Sequence, residues 1–485
     1  MKDTNNVFDV FIIGGGINGA GIARDAAGRG LKTALVEAKD FGNATSSSST
    51  KLIHGGLRYL EYYEFHLVRK ALRERKKLMN IAPHIIWPLD FILPHEKHLR
   101  PKWLIKAGLF LYDFLAPMSI LKRSKAVKLR ANNPLKEDKK TGFRYTDCWV
   151  EDSRLVLINI RDAKEHGALI SRNEKVLDVR YLNDDGLYLV TTNEKTYKAK
   201  VVVNAAGPWA DQFWSENKNL RLVKGSHIIV PKQYEFDHAY ILQNDDNRIV
   251  FTIPYEDDFT LIGTTDEEFK GDPYKVEISA DETNYLIDVY NNYFTKQISK
   301  QDIKWSYSGV RPLLEDGADN ASKVTRDYKF SFVNGRLDIF GGKLTTYRVL
   351  AKEAVDKIET YLNHKPLRGT DWTKDYNLPG GNFTDLGAFK DLKKKQYPDI
   401  DEKVLFRLIK NYGSDIDHIL EQDRTFVVDG VLLSEIDYTI DHEWVLDAED
   451  FLWRRTKLGL HLDKKQQRVI EDYIALKVEK KKAAA

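Results

Sequence analysis

An apolar, β-branched and aromatic run, VFDVFII at 7–13, ends in a stretch that is more than half glycine, GGGINGAG at 14–21. Nothing else in the chain limits its fold so tightly. The run has the character of a parallel strand buried on both faces. Gly14, Gly16 and Gly19 fit G-x-G-x-x-G, and the three glycines play separate parts. One permits a tight turn, one the close approach of a pyrophosphate, and one the close packing of helix on strand. A helix then runs through GIARDAAGRG. The amides of Ile17 and Asn18 open it, and its dipole favours phosphate. A second strand, KTALV at 32–36, leads to Glu37, eighteen residues after Gly19. A carboxylate there accepts both hydroxyls of an adenosine ribose and repels a 2′-phosphate. Strand, glycines, helix, strand and acid in this order predict a dinucleotide-binding unit.

Three further elements favour FAD over NAD. VVVNAAGPWAD at 201–211 runs a strand into Ala206 and Gly207, as where a chain returns to a dinucleotide domain. KVLDV at 175–179 reads as the strand whose backbone, at Val176, meets the adenine. LDIFGGKLTT at 337–346 repeats strand, glycine turn and helix. Its helix start, with Gly342, Leu344 and Thr345, would lie against the flavin's pyrimidine edge, where its dipole favours negative charge on the reduced ring.

The 485 residues allow two or three domains. The expected class is α/β. A discontinuous Rossmann-like FAD-binding domain takes 1–90, 145–215 and 335–365. A substrate-binding or cap region takes 91–144 and 216–334, the latter with an antiparallel sheet built from SHIIVP, RIVFTIPY and DFTLIGTTD. KPLRGTDWTKDYNLPGG at 365–381 reads as a linker, and 385–478 as a C-terminal helical cap domain without catalytic residues. The last residues, KVEKKKAAA, read as a frayed tail. At 30% charged and 42% hydrophobic residues the composition is that of a soluble globular protein, and a net charge of +3 gives no reason to expect nucleic acid. Cys148 stands alone, which excludes an internal disulfide and suits a reducing compartment. MKDTNNVFDV has no signal-peptide core, so a cytosolic or cytosol-facing location is expected.

STKLIHGGLRYL at 49–60 has little to offer a core. Following the dinucleotide unit, it would run along the flavin. Ser47, Ser48, Ser49 and Thr50 supply hydroxyls and amides to the pyrophosphate and ribityl chain, with Lys51 and His54 beside them. Gly55 and Gly56 let backbone approach the ring, and Arg58 and Tyr59 project over it. HEKH at 95–98 has no third ligand at a recognised spacing, so it reads as loop and no metal is expected. WLIKAGLFLYDFL at 103–115 would span roughly 20 Å as a helix, short of the roughly 30 Å hydrocarbon core. Its flanking lysines and arginines suit a helix lying on anionic lipid, while a helix buried between domains fits the same pattern.

GGGINGAGIARDAAGRG, SSSSTKLIHGGLRYLEYYEF, KGSHIIVP, SGVRPL, TRDY and GGKLTTYR occur here in that order. Together they closely resemble the FAD-dependent, aerobic glycerol-3-phosphate dehydrogenases, from about residue 7 to 365 and more loosely beyond. The resemblance implies a peripheral membrane flavoenzyme on the inner face of the cell membrane. Such an enzyme oxidises sn-glycerol 3-phosphate to dihydroxyacetone phosphate and reduces quinone. It implies Arg311 and Arg326 as arms for a phosphate dianion, suited by the guanidinium fork. It places His227 at the active site as base, with His54 a second candidate for that role. It points Lys343 at the substrate or flavin edge, where a cation stabilises a developing alkoxide. Thr265 is a weaker hydroxyl contact, and a homodimer stays open. The expected catalytic set is His227, Arg311 and Lys343. The quinone partner favours the lipid reading of 103–115.

Three rivals remain. A glycerol-3-phosphate oxidase reducing oxygen to peroxide would carry an insertion in its substrate domain that this chain is too short to hold. An amine or amino-acid oxidase wants one arginine for a carboxylate. A non-catalytic FAD-binding protein at the membrane has little use for Arg58, His227, Arg311, Arg326 and Lys343 together.

Overall fold

Val7–Ile13 forms a strand, β1, whose side chains alternate between two apolar layers. Val10 and Ile12 pack with the helix Ile17–Gly28, α1, while Phe8, Phe11 and Ile13 pack beneath a β-hairpin with Val190 and Tyr197. Burial on both faces is why the run shows no polar alternation. The computed structural model describes residues 7–96, 100–116, 121–129, 133–213, 220–246, 248–315 and 327–484. β1 pairs in parallel with Thr33–Glu37, β2, on one side and with Thr196–Asn204 on the other. Arg336–Phe340 adds in parallel to Thr196–Asn204. The backbone of this sheet runs Lys329–Val333, Arg336–Phe340, Thr196–Asn204, β1, β2, Leu169–Arg172, and the hairpin Val176–Leu182 with Leu187–Thr192 completes its eight strands. Three adjacent parallel strands therefore end at one edge, and their glycine turns at 14–16, 207 and 341–342 meet there, as expected of a doubly wound nucleotide-binding sheet.

A second sheet of ten strands is mixed but mainly antiparallel. Leu220–Pro231 lies near one end of it, between Phe259–Gly263 and Trp305–Leu314. The helix Ala280–Tyr293 covers one face, through an apolar layer that includes Ile228, Val230 and Ile262. The sheet's other face, with Ile229, Ile253 and Leu261, packs in a layer with Leu52, Val68 and Leu72. Leu52–Ile53, Ile86–Pro94 and Thr141–Val150 also join it, so it draws strands from inside the first 150 residues.

Residues 365–381 are more than a linker. Trp372 lies so close over Gly28 that a Cβ there would stand 2.0 Å from its ring, and Asp371 pairs with Arg348 at 2.6 Å. Helices Leu386–Gln396, Glu402–Tyr412, Leu433–His442 and Lys464–Ala484 form the C-terminal domain, the last of them taking up the segment expected to fray. Lys102–Leu115 is a helix, and it is not buried between domains. Only Leu109 and Tyr112 are buried, while Trp103, Phe110 and Phe114 are 70%, 72% and 76% exposed. Of HEKH, His95 and Glu96 lie in a loop and 97–98 fall outside the described residues. Among the described residues no group of His, Cys, Asp or Glu could hold a metal ion.

Candidate active site

Gly14 turns out of β1 with φ +106°, and a Cβ there would lie 2.7 Å from the carbonyl oxygen of Ala205. A side chain would thus need both a conformation that L residues avoid and space that the neighbouring strand occupies. At α1 the amide of Ile17 donates to Ser46 Oγ at 3.0 Å, so a hydroxyl sits where a phosphate oxygen would. Glu37 Oε2 accepts the Gly15 amide at 2.7 Å, and burial raises its carboxyl above the ordinary value. Asn18 Nδ2 donates to Gly341 O at 3.1 Å, joining the first glycine turn to the last, while its Oδ1 is buried without a partner. A cleft floored by glycine turns, with an acid at the second strand and an unsatisfied amide oxygen, fits FAD. Gly14, Gly16, Ile17, Asn18, Gly19 and Glu37 would take its adenosine and pyrophosphate.

Beside this cleft opens a cavity of about 870 Å³. Ser48, Ser49, Thr50, His54, Gly56 and Tyr59 line it from the serine-rich segment, and Gly342, Lys343, Leu344 and Thr345 from the late helix start. The His54 amide donates to Thr345 Oγ1 at 3.3 Å, tying these two segments together. Gly56 holds φ +74° under the Tyr59 ring, and a Cβ there would stand 2.1 Å from Tyr59 Cδ2. Lys343 Nζ rests 3.9 Å from the centre of the same ring, a cation–π contact that aims the ammonium into the cavity wall.

Arg311 reaches the cavity from Trp305–Leu314, opposite Val223. Its Nη1 donates to Asp266 Oδ1 at 2.5 Å and to Thr265 O at 3.2 Å, and its Nη2 to Thr264 Oγ1 at 2.9 Å. The guanidinium lies flat over Gly225, where a Cβ would be 2.2 Å from Nη2. Thr264 and Asp266 are cavity residues that sequence reasoning missed. The only signal for them was adjacency to Thr265.

Several expected residues stand elsewhere. His227 is fully buried and is not in the cavity wall; its Nε2 lies 3.0 Å from Thr50 Oγ1 and its ring stacks on Tyr307 at 4.7 Å. Burial, then Arg311 and Lys51, hold the imidazole well below its usual pKa, so it is neutral. A base must reach the proton it takes, and Thr50 stands between. Thr265 points the other way, donating to Glu282 Oε1 at 2.6 Å and accepting the Ser226 amide at 2.9 Å. Lys51 adopts φ +60° and turns inward to Asp152, Nζ to Oδ1 2.6 Å, rather than toward the cofactor cleft. Ser47, Gly55, Val176, Ala206 and Gly207 do not line this cavity, and neither do Gly14, Gly16 and Glu37 of the cofactor cleft beside it; the Gly55 amide donates to Tyr112 Oη at 2.9 Å. Arg326 and the side chain of Arg58 fall outside the described residues.

The family described as "FAD dependent oxidoreductase" matches residues 9–337, and "C-terminal domain of alpha-glycerophosphate oxidase" matches 372–482. The chain is 45% identical over 490 residues to the aerobic glycerol-3-phosphate dehydrogenase of Escherichia coli, covering 96% of this chain and 97% of that protein. It is 43% identical over 481 residues to the D-erythritol 1-phosphate dehydrogenase of Brucella abortus, covering 94% and 95%. The fold superimposes with TM-score 0.77 on the Bacillus halodurans glycerol-3-phosphate dehydrogenase crystallised with FAD. That match covers 99% of this chain and 92% of that one, at 27% identity.

Proposed function

The chain belongs to the family of FAD-dependent glycerol-3-phosphate dehydrogenases, and from that premise we propose that it oxidises sn-glycerol 3-phosphate to dihydroxyacetone phosphate and passes the electrons to a membrane quinone. The observation that carries this reading is the convergence of Arg311, Lys343 and His54 on one cavity beside the glycine turns. FAD, when bound, supplies the acceptor for the hydride of C2. Arg311 takes the phosphate, its fork oriented by Thr264, Thr265 and Asp266. Lys343, braced on Tyr59, offsets the negative charge growing on the C2 oxygen. His54 accepts the hydroxyl proton; of the two candidate histidines it alone borders the cavity. His227 acts through Thr50, which it holds toward the substrate.

A second substrate has support of its own. The cavity continues past the reacting groups to Arg100, Gln243 and Arg248, which leaves room for a longer polyol phosphate such as D-erythritol 1-phosphate. For the membrane, the helix Lys102–Leu115 lays its exposed aromatic residues on anionic lipid at the inner face of the cell membrane. Its inner residues Ile105 and Leu109 border the cavity and exposed Leu104 lies at its edge, giving quinone an apolar approach. No described helix is long and apolar enough to cross a membrane. The test is steady-state turnover with each polyol phosphate and either a quinone analogue in anionic liposomes or oxygen. A higher kcat/KM for glycerol 3-phosphate with quinone supports the reading. Preference for the four-carbon ester, or peroxide formed at the quinone rate, overturns the substrate or the acceptor.

A further inference from the structure

The C-terminal domain was expected to be chemically idle, yet one of its turns grips both segments that flank the cofactor cleft. Asp450–Arg455 is a π-helical turn, a rare form of backbone often found at functional sites. Arg455 donates through both branches of its fork to Asp40, one contact at 2.9 Å, and Arg454 Nε reaches the same carboxylate at 2.6 Å. Asp40 and Arg455 are each 2% exposed, 415 positions apart in sequence. Asp40 begins the loop that closes on the glycine motif: Phe41 rests on Gly15, and the Gly42 amide donates to Gly15 O at 3.0 Å.

Two residues further on, Lys457 is buried and donates to Ser153 Oγ at 3.2 Å. Ser153 Oγ itself donates to Arg454 O at 2.7 Å, binding the helix start at 152 to the turn. Asp152, fully buried there, takes Lys51 Nζ at 2.6 Å and Ser49 Oγ at 2.7 Å. The turn thus fixes the loop at 40–42 and the segment at 49–51, from the side of each that faces away from the cleft. No contact between Phe451–Leu460 and the cavity is required for this.

We propose that the turn 450–457 is a cofactor clamp: Arg454, Arg455 and Lys457 are positioning residues that set how tightly FAD is retained. The inference rests on FAD lying in the cleft described above. Lys457→Met keeps the length of the side chain and removes its hydrogen bonds, and Arg455→Lys keeps the charge on Asp40 but removes the fork. FAD release from diluted holoenzyme is followed by the rise in flavin fluorescence, and thermal unfolding is recorded for holo- and apoprotein. The clamp predicts release at least about tenfold faster in Lys457→Met, a smaller acceleration in Arg455→Lys, and a melting temperature lowered more in the holoprotein than in the apoprotein. Release within about twofold of wild type overturns it. Equal lowering of both melting temperatures overturns it too, because that is what a purely structural contact would give. If Lys457→Met does not yield folded protein, Arg455→Lys alone decides on the same two readings. A wild-type chain that binds no FAD would instead refute the reading of the cleft.

Discussion

Replacing Arg311 by Met removes the guanidinium while filling the space over Gly225. In the structure this side chain is 22% exposed and spends its donors on Asp266, Thr265 O and Thr264. A bound phosphate would compete for donors of this fork, and each charge-assisted hydrogen bond contributes about 1.5–3 kcal/mol. Losing two at the weaker end of that range costs about 3 kcal/mol, or roughly a hundredfold in kcat/KM. The substitution also removes one of Asp266's partners, at 2.5 Å, and leaves its carboxylate less compensated beside the dianion. Adding Asp266→Asn to Arg311→Met should therefore recover about tenfold, near 1.4 kcal/mol. The assay is rapid-mixing reduction of the flavin over a range of glycerol 3-phosphate concentrations. Most of the loss should lie in the concentration for half-maximal rate, because the arginine binds a part of the substrate that does not react. A shift below about threefold, or an Asp266→Asn addition that makes matters worse, would refute the argument.

Gly225→Ala places a methyl group where Arg311 now lies, so KM should rise at least about tenfold (~1.4 kcal/mol) while FAD content stays at the wild-type level. His54→Asn should slow flavin reduction by about a hundredfold, in line with the usual worth of a general base; His227→Asn should slow it far less. Wild-type stability should fall in acid. His84 and His227 are buried and neutral, His84 with its pKa pushed from 6.5 down to about 3. Below about pH 6.5 the unfolded chain binds protons that the folded chain refuses, so each histidine withdraws about 1.4 kcal/mol per pH unit. His84→Phe should remove its own share, about 1.4 kcal/mol per pH unit, from the fall in chemical-denaturation stability between about pH 6.5 and pH 5. Trp103, Phe110 and Phe114 all changed to Ser should lower partition onto anionic liposomes at least about a hundredfold, with dye-linked turnover in solution unchanged.

The dinucleotide unit was legible because its constraints are local. β1 begins and ends where its apolar run does, and the glycines precede α1 as their spacing requires. Arg311 and Lys343 were marked out only by the resemblance of SGVRPL and GGKLTTYR, since a chain with 75 lysines and arginines has many solvated cations, and His54 only by its place soon after the dinucleotide unit. What was hidden is orientation. KGSHIIV is buried along its whole length, on both faces of a sheet covered by Ala280–Tyr293 behind and by the serine segment in front. With no polar alternation to read, nothing in the sequence says that His227 ends behind Thr50, or that Thr265 turns back to Glu282. Lys51 misled for a different reason: its positive φ reverses the direction a lysine would otherwise take. Contacts between Arg455 and Asp40 span nearly the whole chain and carry no local signature.

The central claim is that a polyol phosphate, held by its phosphate in the cavity of Arg311, Lys343 and His54, yields the hydride of its C2 to FAD. Mixing the holoenzyme with glycerol 3-phosphate without oxygen, and separately with the same ester deuterated at C2, tests it most directly. The account predicts fast loss of the flavin's visible absorbance, severalfold slower with deuterium, and no such loss with free glycerol. Equal rates for the two isotopologues across all concentrations, or bleaching as rapid with glycerol, would contradict it.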